Sequence, residues 1–157
     1  MILIRPAKIE DVFPISDNLR DEDRAESAVA SGGLSPSVAL LQAFKDSQPL
    51  CLTVWETWDG NIVRPGPIAM FGVVTAGPGR GFVWFLGTDA IKRQSRWILK
   101  EAPGWLDFLQ CFYAAPLYAL ADARNALHLK WCEAVGFSRV PERDASIDGY
   151  PFLYIER

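Results

Sequence analysis

The chain has 157 residues, of which 50% are hydrophobic and 22% are charged, so one globular domain with a sizeable core is expected and a second domain is not. Its formal net charge of -3 argues against a nucleic-acid-binding surface across the protein, and no apolar run approaches the roughly 20 residues of a membrane-spanning helix. No signal peptide is predicted, and three cysteines without CxxC spacing favour a reducing cytoplasm over a disulfide framework.

The first third of the chain predicts one strand followed by two helices. Residues 1–5 alternate in polarity as a strand does, and Pro6 stops them. Residues 9–16 have helical spacing. Four side chains are predicted on one side of that helix: Ile9, Val12, Phe13 and Ser16. Ser35 and Pro36 form an N-cap and first-turn pair for a second helix.

The middle of the chain predicts three consecutive strands and a helix. The strands cover residues 50–58, 67–75 and 82–86. Turn residues fill the segment 59–66, and GPGRG at 77–81 has the glycines of a phosphate-binding loop but neither its Lys-Ser/Thr ending nor its following helix, so a hairpin turn is predicted. Residues 91–113 are predicted to be helical, with a kink or split at Pro103 and Gly104.

The C-terminal third predicts a strand, a capped helix and two further strands. A buried strand over residues 117–123 precedes Asn125, which is the predicted N-cap of the helix. The apolar stripe of this helix contains Leu127, Trp131 and Val135. Gly136 suits the left-handed position that ends a helix, and Phe137 provides an apolar anchor for the next strand. Residues 150–156 predict the final strand.

This unit resembles the C-terminal half of the GNAT superfamily of acyl-CoA-dependent N-acyltransferases. Members often read N-x-x-A-x-x-L-Y-x-x-x-G-F there, and Asn125, Gly136 and Phe137 fall in register with that pattern. Within the superfamily, the wording DARN…H…W…GF and the segment DGYPF at 148–152 are most similar to a small protein family of podoviruses. Those relatives are labelled internal virion or morphogenesis proteins, and sometimes acetyltransferases.

The resemblance extends over nearly the whole chain and is firmest from Val83 onward. It implies a single domain over residues 1–157 with an α/β (α+β) fold. The expected architecture is a GNAT-like mixed, mostly antiparallel central sheet of six to seven strands, flanked by about four helices and containing a splayed parallel strand pair.

The resemblance also implies an acyl-CoA site at the helix that follows the fourth strand. Superfamily enzymes bind the coenzyme pyrophosphate there with R/Q-x-x-G-x-G/A, whereas this chain reads GTDAIKRQSRWILK and lacks the glycine pair. Its basic side chains are either a solvated helix face or a rebuilt anion site. The candidate cofactor-binding residues are Leu86, Gly87, Thr88, Lys92, Arg93, Gln94, Ser95, Arg96 and Asn125.

Cys132 and His128 are candidate catalytic residues. Superfamily enzymes commonly place a Tyr four residues before the Gly of Gly-Phe, where it protonates the departing thiolate, and here that position holds Cys132. Its thiol is either a proton donor or a small buried hydrophobe. His128, the only histidine, lies one turn earlier on the same helix face. The pair can form a thiolate–imidazolium pair or hold a metal, or His128 can be purely structural; local spacing implies no third ligand, so no metal site is predicted.

Glu22 is a third catalytic candidate. It lies with Asp23 in the acidic segment 17–26, where the resemblance places the acceptor-binding helix and loop. Acidic side chains there can attract a cationic amine or act as a base, but the segment can equally be a solvated turn between two helices.

Two functions remain open from the sequence. In the main hypothesis, a phage-encoded GNAT-fold protein with degenerate acyl-CoA motifs and no cofactor acts through protein contacts, in virion morphogenesis or on a host target, in the bacterial host cytoplasm or the virion. Trp55 and Trp58 are then candidates for an exposed partner contact. In the alternative, the chain is an acetyl-CoA-dependent N-acetyltransferase that modifies an amine or a protein lysine or N-terminus. The missing glycine pair and missing Tyr favour the first.

Overall fold

A computed structural model describes residues 1–57 and 65–157 of the chain. The strands are β1 Ile2–Pro6, β2 Cys51–Glu56, β3 Gly66–Thr75, β4 Gly81–Gly87, β5 Tyr118–Asp122, β6 Ser138–Arg139, β7 Ala145–Ile147 and β8 Tyr150–Glu156. The α-helices are α1 Val12–Ser16, α2 Asp21–Ala30, α3 Pro36–Asp46, α4 Ser95–Gln110 and α5 Ala126–Ala134. Short 3-10 helices cover Ile9–Asp11, Asp89–Gln94 and Pro141–Arg143.

The strands form one mixed, mostly antiparallel sheet, which confirms the predicted fold class. Its order is β1-β2-β3-β4-β5-β8-β6, and β7 pairs with β8. Among the strands of the described residues, only β4 and β5 pair in parallel, and their register contains a single Cα pair, Phe82 and Tyr118. Within the described residues the sheet has eight strands and five α-helices flank it, more than predicted, because the three-residue β7 and the polar α2 carry little apolar periodicity.

The predicted strands and the hairpin are confirmed. Gly77 and Gly79 adopt positive φ in the turn between β3 and β4, and the Ala76 N–H donates to the Arg80 carbonyl across it. A strand follows this turn, so the phosphate-loop alternative does not apply. The predicted turn at 59–66 and Trp58 lie largely outside the described residues.

The helices cover both faces of the sheet. On one face, α4 and α5 pack on a large cluster that includes Val54, Phe71 and Leu109. On the other face, α1 and α3 pack on a smaller cluster around Met70 and Leu40. Neighbouring residues of β3 point to opposite faces, so each contributes to one cluster. Among the described residues, no helix has the length and hydropathy needed to cross a bilayer.

Two helix predictions were wrong in detail. In residues 9–16, Val12 and Ser16 are buried, but Ile9 and Phe13 are exposed and Ile15 takes the buried position. The 3-10 helix that precedes α1 has three residues per turn, so one 3.6-residue stripe does not run through the whole segment.

Pro103 does not split the helix predicted over residues 91–113. The α-helix α4 runs without a break from Ser95 to Gln110, while the segment before it is a 3-10 helix. Buried Ile98 on one side of the proline and buried Leu106 and Leu109 on the other attach both halves of α4 to the core. This packing offsets the single helix hydrogen bond that proline removes.

The ends of α5 are as predicted. The Asn125 side chain accepts the His128 N–H at 3.3 Å, and Gly136 has a φ of 102°. The N–H groups of Gly136 and Phe137 donate back to the carbonyls of Glu133 and Cys132, as in a Schellman motif. The predicted buried stripe is wrong at Leu127, which is 36% exposed.

A buried ionic network attaches α2 to the sheet. Arg20 and Asp23 are each 1% exposed, and Arg20 Nε donates to Asp23 Oδ2 at 3.2 Å. The same carboxylate accepts the Gly87 N–H at 2.9 Å and the Asn125 Nδ2 at 3.2 Å. Asp23 therefore joins α2, the end of β4 and the start of α5.

Asp23→Ala should destabilise the protein by about 3–5 kcal/mol, because it leaves the Arg20 charge buried without its carboxylate. Urea unfolding measures this loss. Asp21→Ala, an exposed position of the same helix, is the matched control and should cause a much smaller loss. Equal losses in the two variants would contradict the role given to Asp23.

Candidate functional site

A cleft opens where β4 and β5 separate beyond Phe82 and Tyr118. Its volume is about 580 Å³, and its wall is mostly apolar. It reaches both faces of the sheet, since Ala30 of α2 and Ala43 of α3 line it together with residues of α4 and α5. The aromatic side chains in the wall are Phe71, Phe82, Trp84, Phe85, Trp97, Trp105, Trp131 and Phe137. These rings surround a space that a closed core would fill.

The polar side chains that line the cleft include Glu26 of α2 and His128 and Cys132 of α5. Glu26 Oε2 lies 3.5 Å from His128 Nδ1, and the two side chains are only 12% and 16% exposed. Glu26 is held in place by Asn125 Nδ2, which donates to Oε2 at 2.8 Å, and by the Asp122 N–H, which donates to Oε1 at 3.3 Å. The structure thus brings a carboxylate, an imidazole and a thiol to one wall.

His128 is electrostatically perturbed. Burial lowers its pKa, but the neighbouring Cys132 and Glu26 side chains outweigh burial and raise the pKa well above its usual value. Nδ1 is buried and makes no hydrogen bond with the described residues. The carboxylate near this atom therefore favours the protonated imidazole.

The structure brings the predicted catalytic residues Cys132 and His128 together but places Glu22 elsewhere. Glu22 is exposed and lines a second cavity of about 280 Å³ with Asp21, Asp122 and Arg124. Sequence reasoning missed Glu26, although a helix spacing of three residues from Asp23 puts both on one face of α2.

No tyrosine is among the cleft-lining residues in the described part of the chain. The Tyr113 hydroxyl is hydrogen-bonded with Thr75 at 3.0 Å, and the Tyr154 hydroxyl accepts from Arg80 and Arg143. Over residues 1–57 and 65–157, no group of three or more His, Cys, Asp or Glu side chains can hold a metal ion.

The candidate cofactor-binding residues at the end of β4 and just after it have mixed surroundings. Leu86 lines the cleft. Gly87 donates its N–H to Asp23 and accepts the Arg20 N–H at 3.0 Å. The Thr88 N–H donates to the Ile68 carbonyl, and the Thr88 hydroxyl caps the following 3-10 helix by accepting the Ala90 N–H.

The basic residues at the start of α4 are partly neutralised. Arg93 donates to Glu56 through Nε at 3.0 Å and through Nη2 at 2.5 Å, and Gln94 donates to the same carboxylate at 2.6 Å. Lys92 pairs with Asp89 at 2.5 Å. Ser95 is the first residue of α4, and Arg96 is exposed beside it.

Glu56 is a buried carboxylate whose charge is stabilised by this contact. Burial raises its pKa, but hydrogen bonds from Arg93 and Gln94 and the Arg93 charge lower the pKa by more. The same pairing raises the pKa of Arg93. Arg93 thus already has a carboxylate partner.

Trp55 was predicted as an exposed contact for a protein partner, but its side chain is already engaged within the chain. Its Nε1 donates to Asp11 Oδ1 at 3.2 Å, and the Arg5 guanidinium lies 4.8 Å from the centre of its ring. Trp58, the other residue of that prediction, lies outside the described residues.

No family model matches this chain, and no curated protein sequence matches it. Solved structures do match over its full length. The structure of aminoglycoside acetyltransferase AAC(6')-Ib with coenzyme A aligns with a TM-score of 0.67 at 12% identity, over 100% of this chain and 94% of that one. The ribosomal-protein-S18-alanine N-acetyltransferase from Escherichia coli aligns with a TM-score of 0.63 at 13% identity, over 99% and 92%. Ard1 from Thermoplasma volcanium aligns with a TM-score of 0.65 at 9% identity, over 99% and 96%. The chain has the GNAT fold.

Titration of His128 tests the electrostatics of the cleft. As the only histidine, it gives one unambiguous imidazole signal by NMR. We expect its pKa to lie above the usual histidine range, and Glu26→Gln and Cys132→Ala each to lower it, because each removes a group that favours the imidazolium. An ordinary pKa in the wild-type protein would contradict this.

The Glu56 contact predicts an acid-sensitive part of the stability. Because the folded state lowers the pKa of Glu56, its contribution is present above the pKa of the unfolded chain and is lost as pH falls through the folded value. Urea midpoints should therefore fall less on acidification in Glu56→Gln than in the wild type. Glu142→Gln, at an exposed position, should keep the wild-type pH dependence.

Proposed function

We propose that this chain is an acyl-CoA N-acyltransferase that holds the acyl-pantetheine arm in the cleft and transfers the acyl group to an amine. The cleft carries this proposal. Its volume of about 580 Å³ lies within the usual range of small-molecule sites, and its mostly apolar wall with a few polar groups is their usual composition. A folded protein normally closes a gap of this size with side chains.

The structural comparisons support the enzymatic alternative of the sequence analysis over a virion role. The matched structures include N-acetyltransferases, and two structures of AAC(6')-Ib among them contain coenzyme A. The podoviral resemblance is the only support for virion morphogenesis or a host target, and that role stays a hypothesis. Identity this low carries over no residue role.

The residues of this chain fit the thioester end of the coenzyme better than its phosphate end. Phe85, Leu86 and the rings of α4 provide apolar surface for the acyl and pantetheine groups. At the phosphate end, Arg96 is exposed, and Lys92 and Arg93 expose part of their surface but are paired with carboxylates. When bound, the coenzyme supplies an activated acyl thioester.

His128 is the group of this chain that we assign to proton transfer. Glu26 faces its Nδ1 and stabilises the protonated ring, which leaves Nε2 to give a proton to the departing thiolate. In this assignment the imidazole replaces the phenol that the superfamily commonly uses. Cys132 lies beside His128 in the same wall.

The acceptor that fits best is a cationic amine, such as a protein lysine, an N-terminus or a small amine. Asp21 and Glu22 are exposed carboxylates at the second cavity, which also contains Asn125 and the ion pair of Asp122 with Arg124. Asn125 hydrogen-bonds Glu26 in the cleft wall, so the two cavities are adjacent. Negative charge there attracts an amine before it loses its proton.

Thermal unfolding with acetyl-CoA tests the proposal. At about 100 times its Kd, the coenzyme should stabilise the protein by about 2.7 kcal/mol, which raises the Tm by roughly 5–10 °C. Ala119→Leu places extra volume in the cleft and should abolish the shift. Ala28→Leu, exposed on α2 outside the cleft wall, is the matched control and should keep it.

The outcome separates the two hypotheses. A shift together with acetylation of an amine panel supports the enzyme. No shift at millimolar acetyl-CoA in the wild-type protein, with no acetylation, would reject it and leave the protein-contact hypothesis.

A further inference from the structure

We propose that Cys132 is a nucleophile that carries the acyl group as a thioester before the amine receives it, with His128 as its proton partner and Glu26 as a positioning residue. This inference rests on the proposed function and concerns the same cleft. It replaces direct attack of the amine on the coenzyme thioester by two acyl transfers through a residue of this chain.

The first argument is the convergence of three side chains from distant parts of the sequence. His128 and Cys132 are one turn apart on α5 and therefore share a helix face. Glu26 comes from α2 and contacts the same face, with its Oε2 3.5 Å from His128 Nδ1. All three line the cleft that the proposed function assigns to the thioester. A nucleophile, a base and a third group that orients the base form the arrangement found in covalent catalysis.

The second argument is how firmly the orienting carboxylate is held. Asn125 Nδ2 and the Asp122 N–H both donate to Glu26, at 2.8 and 3.3 Å. Asn125 is itself buried, caps α5 and also donates to Asp23. A side chain fixed by two donors cannot turn away to solvent without leaving those donors unpaired. Glu26 is thus preorganised toward the imidazole.

The third argument is a contrast among the three cysteines of the chain. Cys51 is buried in the smaller core cluster, and burial raises its pKa to about 12, so it is inert. Cys111 is exposed just after α4, where its Sγ donates to the Asp107 carbonyl at 3.3 Å. Cys132 is the cysteine that shares the cleft wall with an imidazole and a carboxylate.

The two transfers balance without any further reactant. In the first, the Cys132 thiolate attacks the acyl carbonyl carbon, a bond forms from Sγ to carbon, the bond from carbon to the coenzyme sulfur breaks, and His128 gives its proton to the departing thiolate. In the second, the amine nitrogen attacks the acyl-Cys132 carbon, the bond to Sγ breaks, and His128 accepts the amine proton. The products are the amide and the free coenzyme thiol.

Alkylation by iodoacetamide, read at each cysteine by peptide mass spectrometry, tests the cluster without any coenzyme. At neutral pH, we expect Cys132 to react at least about tenfold faster than Cys111, although Cys111 is more exposed, because the imidazole one helix turn away stabilises the negative charge that develops on Sγ. His128→Gln and Glu26→Gln should remove this advantage while the Cys111 rate stays unchanged. Continued protection of Cys51 verifies that the variants remain folded. A Cys132 rate no higher than that of Cys111 in the wild type would overturn the proposal.

Incubation with acetyl-CoA tests the covalent step itself. We expect an acetyl adduct on intact protein that hydroxylamine removes, present in Cys111→Ser and absent in Cys132→Ala. Amine acetylation should fall at least about 100-fold in Cys132→Ala. Acetylation that persists in Cys132→Ala without an adduct rejects this inference and leaves the proposed function standing. Absence of both coenzyme binding and transfer in the wild-type protein rejects both.

Discussion

The Asp23 carboxylate is the contact on which the geometry of the cleft depends. It pairs with buried Arg20 and accepts two further hydrogen bonds, one from the Gly87 N–H at the end of β4 and one from the Asn125 side chain, which caps α5. Strand hydrogen bonds join β4 and β5 at only one register position. Beyond that position, side chains of α2 connect the two sides of the sheet. An ion pair this deeply buried is a weak source of net stability, but removing one partner is costly. The arrangement therefore defines the position of α2 more than it strengthens the fold, and α2 carries Glu26.

Much of the fold could be predicted from local patterns. Alternation marked the long strands, and Asn125 with Gly136 marked both ends of α5, because caps and left-handed exits depend on few neighbours. Other features depend on tertiary packing. Pro103 remains inside α4 because the core holds the helix on either side of it, and α2 is a helix whose buried face contains an aspartate and a serine instead of an apolar stripe.

The candidate site shows the same division. Cys132 was identified from its place in the superfamily pattern and His128 from its helical spacing to Cys132, whereas Glu26 is about a hundred residues away in sequence and meets them only through the fold. The missing phenol and the missing glycine pair were each interpreted as evidence against catalysis. Cys132 occupies the position of the missing phenol. It lies beside His128, which in turn contacts Glu26, so the three form one group of polar side chains. The glycine pair has no such counterpart, since Glu56 already engages Arg93. The missing phenol is therefore compatible with catalysis by other side chains, whereas the missing glycine pair has no replacement at the phosphate end.

The single register position between β4 and β5 has a mechanical consequence. β1 to β4 form one antiparallel unit, and β5 to β8 form another. Neighbouring strands within each unit share several hydrogen-bonded positions, whereas one parallel pair of residues joins the units. The ladders lie inside each unit, so they do not themselves fix the width of the gap between the units. That width depends instead on the buried contacts of Asp23 with Gly87 on one side and Asn125 on the other.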